Sequence, residues 1–113
     1  MSPVTTHVLD TAKGCPAGGL PIRLERRNDD DTFTVLAEKT TDADGRIKDL
    51  MEPGSLEAKT YRLTFDTGAY YRSAGEKTFY PSVTVMFEIT APTEHHHVPL
   101  LLSPFGYSTY RGS

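Results

Sequence analysis

Apolar and polar residues alternate along much of this chain with a period of two. Between Ser82 and Thr90, Val83, Val85, Phe87 and Ile89 fall on one side of an extended backbone and Thr84, Met86 and Glu88 on the other. Thr60 to Asp66 repeats the pattern, with Tyr61, Leu63 and Phe65 against Arg62 and Thr64. Ile22 and Leu24 alternate with Arg23 and Glu25, and a further strand is expected from Phe33 to about Thr40. Val4 to Asp10 reads as the first strand, and the tail holds two more, about His95 to Ser103 and Tyr107 to Arg111. Each run predicts a strand half buried in a sheet, because successive side chains leave a strand on opposite faces.

Turn chemistry separates these runs. Gly14 to Pro21 is rich in glycine and proline, Asn28-Asp29-Asp30-Asp31 forms a polar hairpin tip, and Asp44-Gly45 suits a turn with positive φ at glycine. Pro53-Gly54 and Ser103-Pro104-Phe105-Gly106 mark further breaks. Only Thr67 to Ala74 reads as a helix, and Gly75 sits where it would stop. Many short strands with one short helix predict an all-β sandwich or barrel.

The alternation also sorts the polar residues. Val4, Thr6 and Val8 share one face of the first strand; Thr5, His7 and Leu9 share the other. In the tail strand, Val98, Leu100 and Leu102 share one face; His95, His97, Pro99 and Leu101 share the other. If these strands lie in one sheet, His7 and His97 share an outer face with Leu9 and Leu101. Histidine beside leucine on an outer face suits a surface covered by another subunit, with a pocket between.

Composition narrows the class. The chain has 113 residues, one domain's worth over 1–113, with 37% hydrophobic and 24% charged residues. A domain this small buries a limited share of its surface, which makes help from oligomerisation reasonable. The formal charge of -3 gives no basic surface for nucleic acid or an anionic membrane. No stretch approaches the apolar length of a membrane span, and the first residues do not read as a signal peptide, so the expected compartment is the cytoplasm. Cys15 is the single cysteine and reads as a spare thiol in a Gly/Pro loop.

The chemistry on offer is that of histidine and arginine. His95 and His97 project to one side of a strand, and His7 is the only other histidine apart from His96. The residue types leave three readings open: surface or structural histidines, acid–base catalysts, or zinc ligands. Arg46 follows the Asp44-Gly45 turn and is a surface charge unless a pocket encloses it, where its planar fork would bind a carbonyl or anionic oxygen. The chain has no Gly-x-Ser-x-Gly elbow, no Cys/His signature and no phosphate loop.

Longer motifs go further. Thr6-His7-Val8-Leu9-Asp10-Thr11 with Gly14 and Pro16-Ala17 resembles the N-terminal signature of the transthyretin-related family. Thr41 to Arg46 resembles its second motif, and Phe79-Tyr80-Pro81 a third. His97 to Pro104, then Gly106 to Ser113, resembles its most specific stretch, and the terminal Tyr-Arg-Gly-Ser points to the hydroxyisourate hydrolase branch. The resemblance covers essentially the whole chain. It implies a prealbumin-like (transthyretin-like) sandwich of two four-stranded sheets with one short helix, and a homotetramer, a dimer of dimers with sites in the channel between dimers. It implies hydrolysis of 5-hydroxyisourate to 2-oxo-4-hydroxy-4-carboxy-5-ureidoimidazoline in urate degradation, with no cofactor and no metal. By matching positions it implies His7, Arg46, His97 and Ser113 as the catalytic set, with His7, Arg46 and Tyr110 binding substrate. Either histidine can be the base on this reading. Relatives often have an aromatic residue where this chain has His96, which alternation points away from His97. The competing functions are a transthyretin-like carrier of small hydrophobic ligands, a zinc hydrolase using His7, His95 and His97, and a structural β-sandwich.

Overall fold

The computed structural model describes residues 1–112. Nine strands and one helix follow in the order β1 (Val4–Asp10), β2 (Cys15–Pro16), β3 (Pro21–Arg27), β4 (Phe33–Thr40), β5 (Arg46–Ile47), β6 (Thr60–Phe65), α1 (Thr67–Ser73), β7 (Val83–Glu88), β8 (His96–Ser103) and β9 (Gly106–Thr109). They form a sandwich of two sheets. The first runs β2-β1-β8-β9, with β5 also paired to β1; the second runs β4-β3-β6-β7.

The first sheet therefore has five strands where four were expected. The strands that alternation did not predict are β2 and β5, two residues each, lying along the same side of β1. Two residues carry no periodicity, so alternation is blind to them. The longer strands and the helix fall close to their expected positions. The last strand is shorter, ending at Thr109, and the chain rejoins β8 only through a bridge between Gly112 and His97.

β1 and β8 are parallel neighbours, with Thr5 opposite His97, His7 opposite Pro99 and Leu9 opposite Leu101. A parallel pair needs a long crossover, and here the whole second sheet supplies it. The first and last long strands of the chain thus meet at the centre of one sheet.

The interior lies between the sheets. Val4, Val8, Val98, Leu100 and Leu102 face Ile22, Leu24, Tyr61, Leu63, Phe65 and Val83, all buried. Thr6 is also on the inner face and donates from Oγ1 to the Val98 carbonyl (2.7 Å), so its hydroxyl is not left unpaired. Asp10 closes the end of this face. Its carboxylate accepts from Tyr70 Oη (2.7 Å) and from the Lys13 amide (3.0 Å). Helix α1 is started by Asp66, whose Oδ1 accepts from the Ala69 amide at 3.0 Å.

The second sheet buries one carboxylate on its outer side. Glu25 sits at a bulge in β3 and is held by both Nε (2.8 Å) and Nη2 (3.1 Å) of Arg62, with Arg23 at 3.3 Å. The Arg62 guanidinium lies over the Phe33 ring, 3.7 Å from its centroid. These ion pairs hold the Glu25 carboxyl below its ordinary value.

Candidate active site

Arg46 reaches the outer face of the first sheet through a locally encoded turn. Asp42 Oδ1 accepts from the amides of Asp44 (2.9 Å) and Arg46 (3.0 Å), and Gly45 takes a φ of 74°. Aspartate is suited to such self-hydrogen-bonded turns, and glycine alone adopts that φ without strain. The turn docks on β1: the Val8 amide donates to the Gly45 carbonyl at 2.8 Å. Buried Thr41 anchors the same segment, donating to the Ala17 carbonyl (2.7 Å) and accepting from the Leu20 amide (2.9 Å). The result is β5, with Arg46 directly opposite His7.

His7 also faces Pro99 across the β1–β8 pair. β9 sets Thr109 opposite Leu100, and the bridge between Gly112 and His97 keeps that register. Tyr110 accordingly stands opposite Pro99, just beyond the strand. Arg46, His7, Pro99 and Tyr110 make one row across the sheet; Thr5, His97 and Gly112 make the next.

Along the second row, Thr5 Oγ1 lies 2.8 Å from His97 Nδ1 and 2.9 Å from His95 Nε2. The two imidazoles stand nearly parallel, 16° apart. Behind His97 the tail passes so closely that only glycine fits. A Cβ on Gly112 would lie 2.6 Å from His97 Cδ2, and the Gly112 amide donates to the His97 carbonyl at 2.8 Å. Burial holds the His97 imidazole below its ordinary pKa, and Arg46, His95 and His7 push it the same way.

A cavity of about 610 Å³ opens on this face, lined by Met1, Thr5, Thr6, Arg46, Ile47, Lys48, His95 and His97. That is ample for a small heterocycle. Polar and cationic groups converge on it, which suits a polar or anionic ligand.

Of the residues singled out from the sequence, His7, Arg46 and His97 lie on one face in adjacent rows. Tyr110 is in the His7 row, and neither it nor His7 lines the cavity. It is 57% exposed and also borders a hollow of about 320 Å³ between the sheets, beside Phe87 and His96. Ser113 lies outside the described residues. His96 points inward as alternation requires and is 6% exposed, its Nδ1 without a partner among the described residues. Burial also lowers its pKa. Among the described residues no three His, Cys, Asp or Glu side chains converge so as to hold a metal ion. Sequence reasoning gave no role to Thr5 or Gly112. Thr5 was on the right face by alternation, but its place between two imidazoles depends on the β1–β8 register.

Comparison with known proteins fits this picture. The HIUase/Transthyretin family model matches residues 4–112. The 5-hydroxyisourate hydrolase of Mus musculus is 50% identical over 113 residues, covering 99% of this chain and 96% of that protein. Among solved structures, sea bream transthyretin in complex with thyroxine superposes with a TM-score of 0.92 at 35% identity, over 97% of this chain and 94% of that one. The Klebsiella pneumoniae 5-hydroxyisourate hydrolase superposes with a TM-score of 0.84 at 37% identity, over 97% of this chain and 92% of that one. The backbone therefore does not separate carrier from hydrolase, and the difference has to lie in side chains. With the family model spanning nearly its whole length and the mouse relative half identical throughout, this chain belongs to the HIUase/transthyretin family.

Proposed function

We propose that this protein hydrolyses 5-hydroxyisourate to 2-oxo-4-hydroxy-4-carboxy-5-ureidoimidazoline, a step of urate degradation. One observation carries the reading: the mouse hydrolase is 50% identical over 99% of this chain. A carrier needs an open apolar channel, whereas this face presents imidazoles, a guanidinium and Lys48.

In this mechanism His97 and His7 orient water against the ring carbonyl and take its proton, and one of them returns a proton to the departing ring nitrogen. Histidine suits both steps near neutrality. Arg46 orients the substrate and stabilises the oxyanion of the tetrahedral intermediate. Tyr110, at the end of the His7 row, closes the pocket against a neighbouring subunit. Ser113, next to Gly112, belongs to the catalytic set. No cofactor or metal takes part in these steps.

The working assembly in this proposal is a homotetramer, a dimer of dimers, with the site covered where outer faces meet. Its support is the half-buried Leu9 and Leu101 beside the site and the large exposed aromatics Phe79, Phe105 and Tyr107. The domain of residues 1–113 carries the activity by itself. Cys15 is exposed and unpaired, which suits the reducing cytoplasm; among the described residues no helix is long and apolar enough to cross a membrane.

The test uses 5-hydroxyisourate made freshly by urate oxidation, with its absorbance decay followed with and without the protein. Acceleration over the spontaneous rate, abolished in His97→Ala, is the expected result. No acceleration overturns the function; a fully active His97→Ala tetramer overturns the mechanism. Activity that survives exhaustive chelation eliminates a zinc hydrolase. Light scattering that returns a monomer mass overturns the assembly.

A further inference from the structure

Thr5 stands between two imidazoles with a single hydroxyl proton. Its Oγ1 is 2.8 Å from His97 Nδ1 and 2.9 Å from His95 Nε2. Both are hydrogen-bond distances, and a neutral imidazole nitrogen is either a donor or an acceptor. One hydroxyl proton cannot satisfy two bare nitrogens. At least one of the two rings therefore presents an N–H to the oxygen. The tautomers of His95 and His97 are coupled through this oxygen.

The direction follows from the role proposed for His97. Thr5 Oγ1 engages its Nδ1, so the nitrogen free to take a proton from water is Nε2, and a neutral ring with Nε2 bare carries its proton on Nδ1. His95 is exposed and free to adopt the complementary form.

We propose that Thr5 is a positioning residue that fixes His97 as the Nδ1–H tautomer and leaves Nε2 bare as the general base, with His95 receiving the Thr5 hydroxyl proton. The hydrogen bonds then run His97 Nδ1–H to Thr5 Oγ1, and Thr5 Oγ1–H to His95 Nε2. When Nε2 takes a proton from water, Nδ1–H stays bonded to the hydroxyl and the imidazolium is stabilised in place. Fixing a catalytic imidazole through its second nitrogen is the task a carboxylate performs in serine-protease triads. A neutral hydroxyl does so here without adding a negative charge to a pocket that holds Arg46 and Lys48.

The other charged groups nearby leave the coupling intact. Glu94 is engaged with Arg111 at 3.1 Å. Arg46 of β5 and Lys48 just beyond it face the site and are donors only. The inference rests on the hydrolase reading for its direction and its catalytic consequence; the tautomer itself is read in the substrate-free protein.

The test compares wild type, Thr5→Val, Thr5→Ser and His95→Phe. Nitrogen-15 shifts of the imidazoles are measured without substrate, above the pH at which His97 titrates. Wild type and Thr5→Ser are expected to show protonated Nδ1 and bare Nε2 at His97. Thr5→Val and His95→Phe are expected to shift the ring toward the Nε2–H form. In the hydrolysis assay, Thr5→Val is expected to lose about tenfold or more in kcat with KM nearly unchanged, within the usual worth of acid–base catalysis, and Thr5→Ser to restore most of it. A His97 that is Nε2–H in wild type, or a tautomer indifferent to Thr5→Val, overturns the proposal whether or not the protein hydrolyses 5-hydroxyisourate. If the shifts behave as expected and wild type is inactive, the function fails while the coupling stands.

Discussion

Replacing Gly112 with alanine tests how His97 is held. The added Cβ would lie 2.6 Å from Cδ2, 3.2 Å from Cγ and 3.3 Å from Cβ of His97. Favourable carbon contacts begin at about 3.5 Å, so the methyl overlaps the ring edge by roughly 0.9 Å. These atoms belong to a side chain held by Thr5 on its other side, and Gly112 itself is tied by its amide to the His97 carbonyl at 2.8 Å. Relief requires the ring to move by about 1 Å or the tail to lift away from β8. A displacement of this size at a reacting group costs about a hundredfold in rate, while the crowding itself destabilises by about 1–3 kcal/mol. Expected outcomes are a kcat about a hundredfold lower and a thermal midpoint down by several degrees. Gly106→Ala is the control, since its Cβ would meet nothing closer than Ser103 Oγ at 3.6 Å. Steady-state hydrolysis, thermal unfolding and the His97 ring resonances provide the readouts. A Gly112→Ala protein with wild-type kcat and unmoved His97 signals would refute the steric argument.

Three other perturbations probe the framework. Gly45→Ala forces a side chain into a φ of 74° and drives its Cβ into the Val8 carbonyl; the expected result is a loss of more than about 1 kcal/mol and a raised KM as Arg46 leaves its register with His7. Unchanged stability and KM would contradict the role of this turn. His96 and His97 both have pKa values lowered from 6.5 in the folded protein, by burial first, so the unfolded chain binds more protons just below that pH. Stability should fall as pH drops from 6.5 toward the folded values, and His96→Phe should flatten part of that slope in urea titrations; an unaltered slope would acquit His96. Arg62→Met removes the main partner of Glu25, which is 5% exposed. Glu25 has a lowered pKa, so its contribution is present above 4.5 and is lost as pH falls through the folded value. The variant should unfold at lower urea at neutral pH, and the gap from wild type should narrow under acid; a constant gap would argue that packing on Phe33 dominates.

The chain's own pattern determined the larger strands, the single helix and the faces of β1 and β8. Those features are local: a period of two needs only neighbouring residues, and Asp66 caps the helix three residues from its partner. The same alternation put Thr5, His7 and His97 on an outer face. It was silent on β2 and β5, because two residues have no period and their pairing with β1 depends on Gly45 docking against Val8. Tertiary structure decided what the polar face is for. The parallel register brings Thr5 beside His97 across a separation of 92 residues, the turn at Gly45 sets Arg46 opposite His7, and Gly112 fits behind the imidazole ring. Such juxtapositions depend on sheet order and register, which arise when both sheets bury their inner faces together. No window of the sequence contains them.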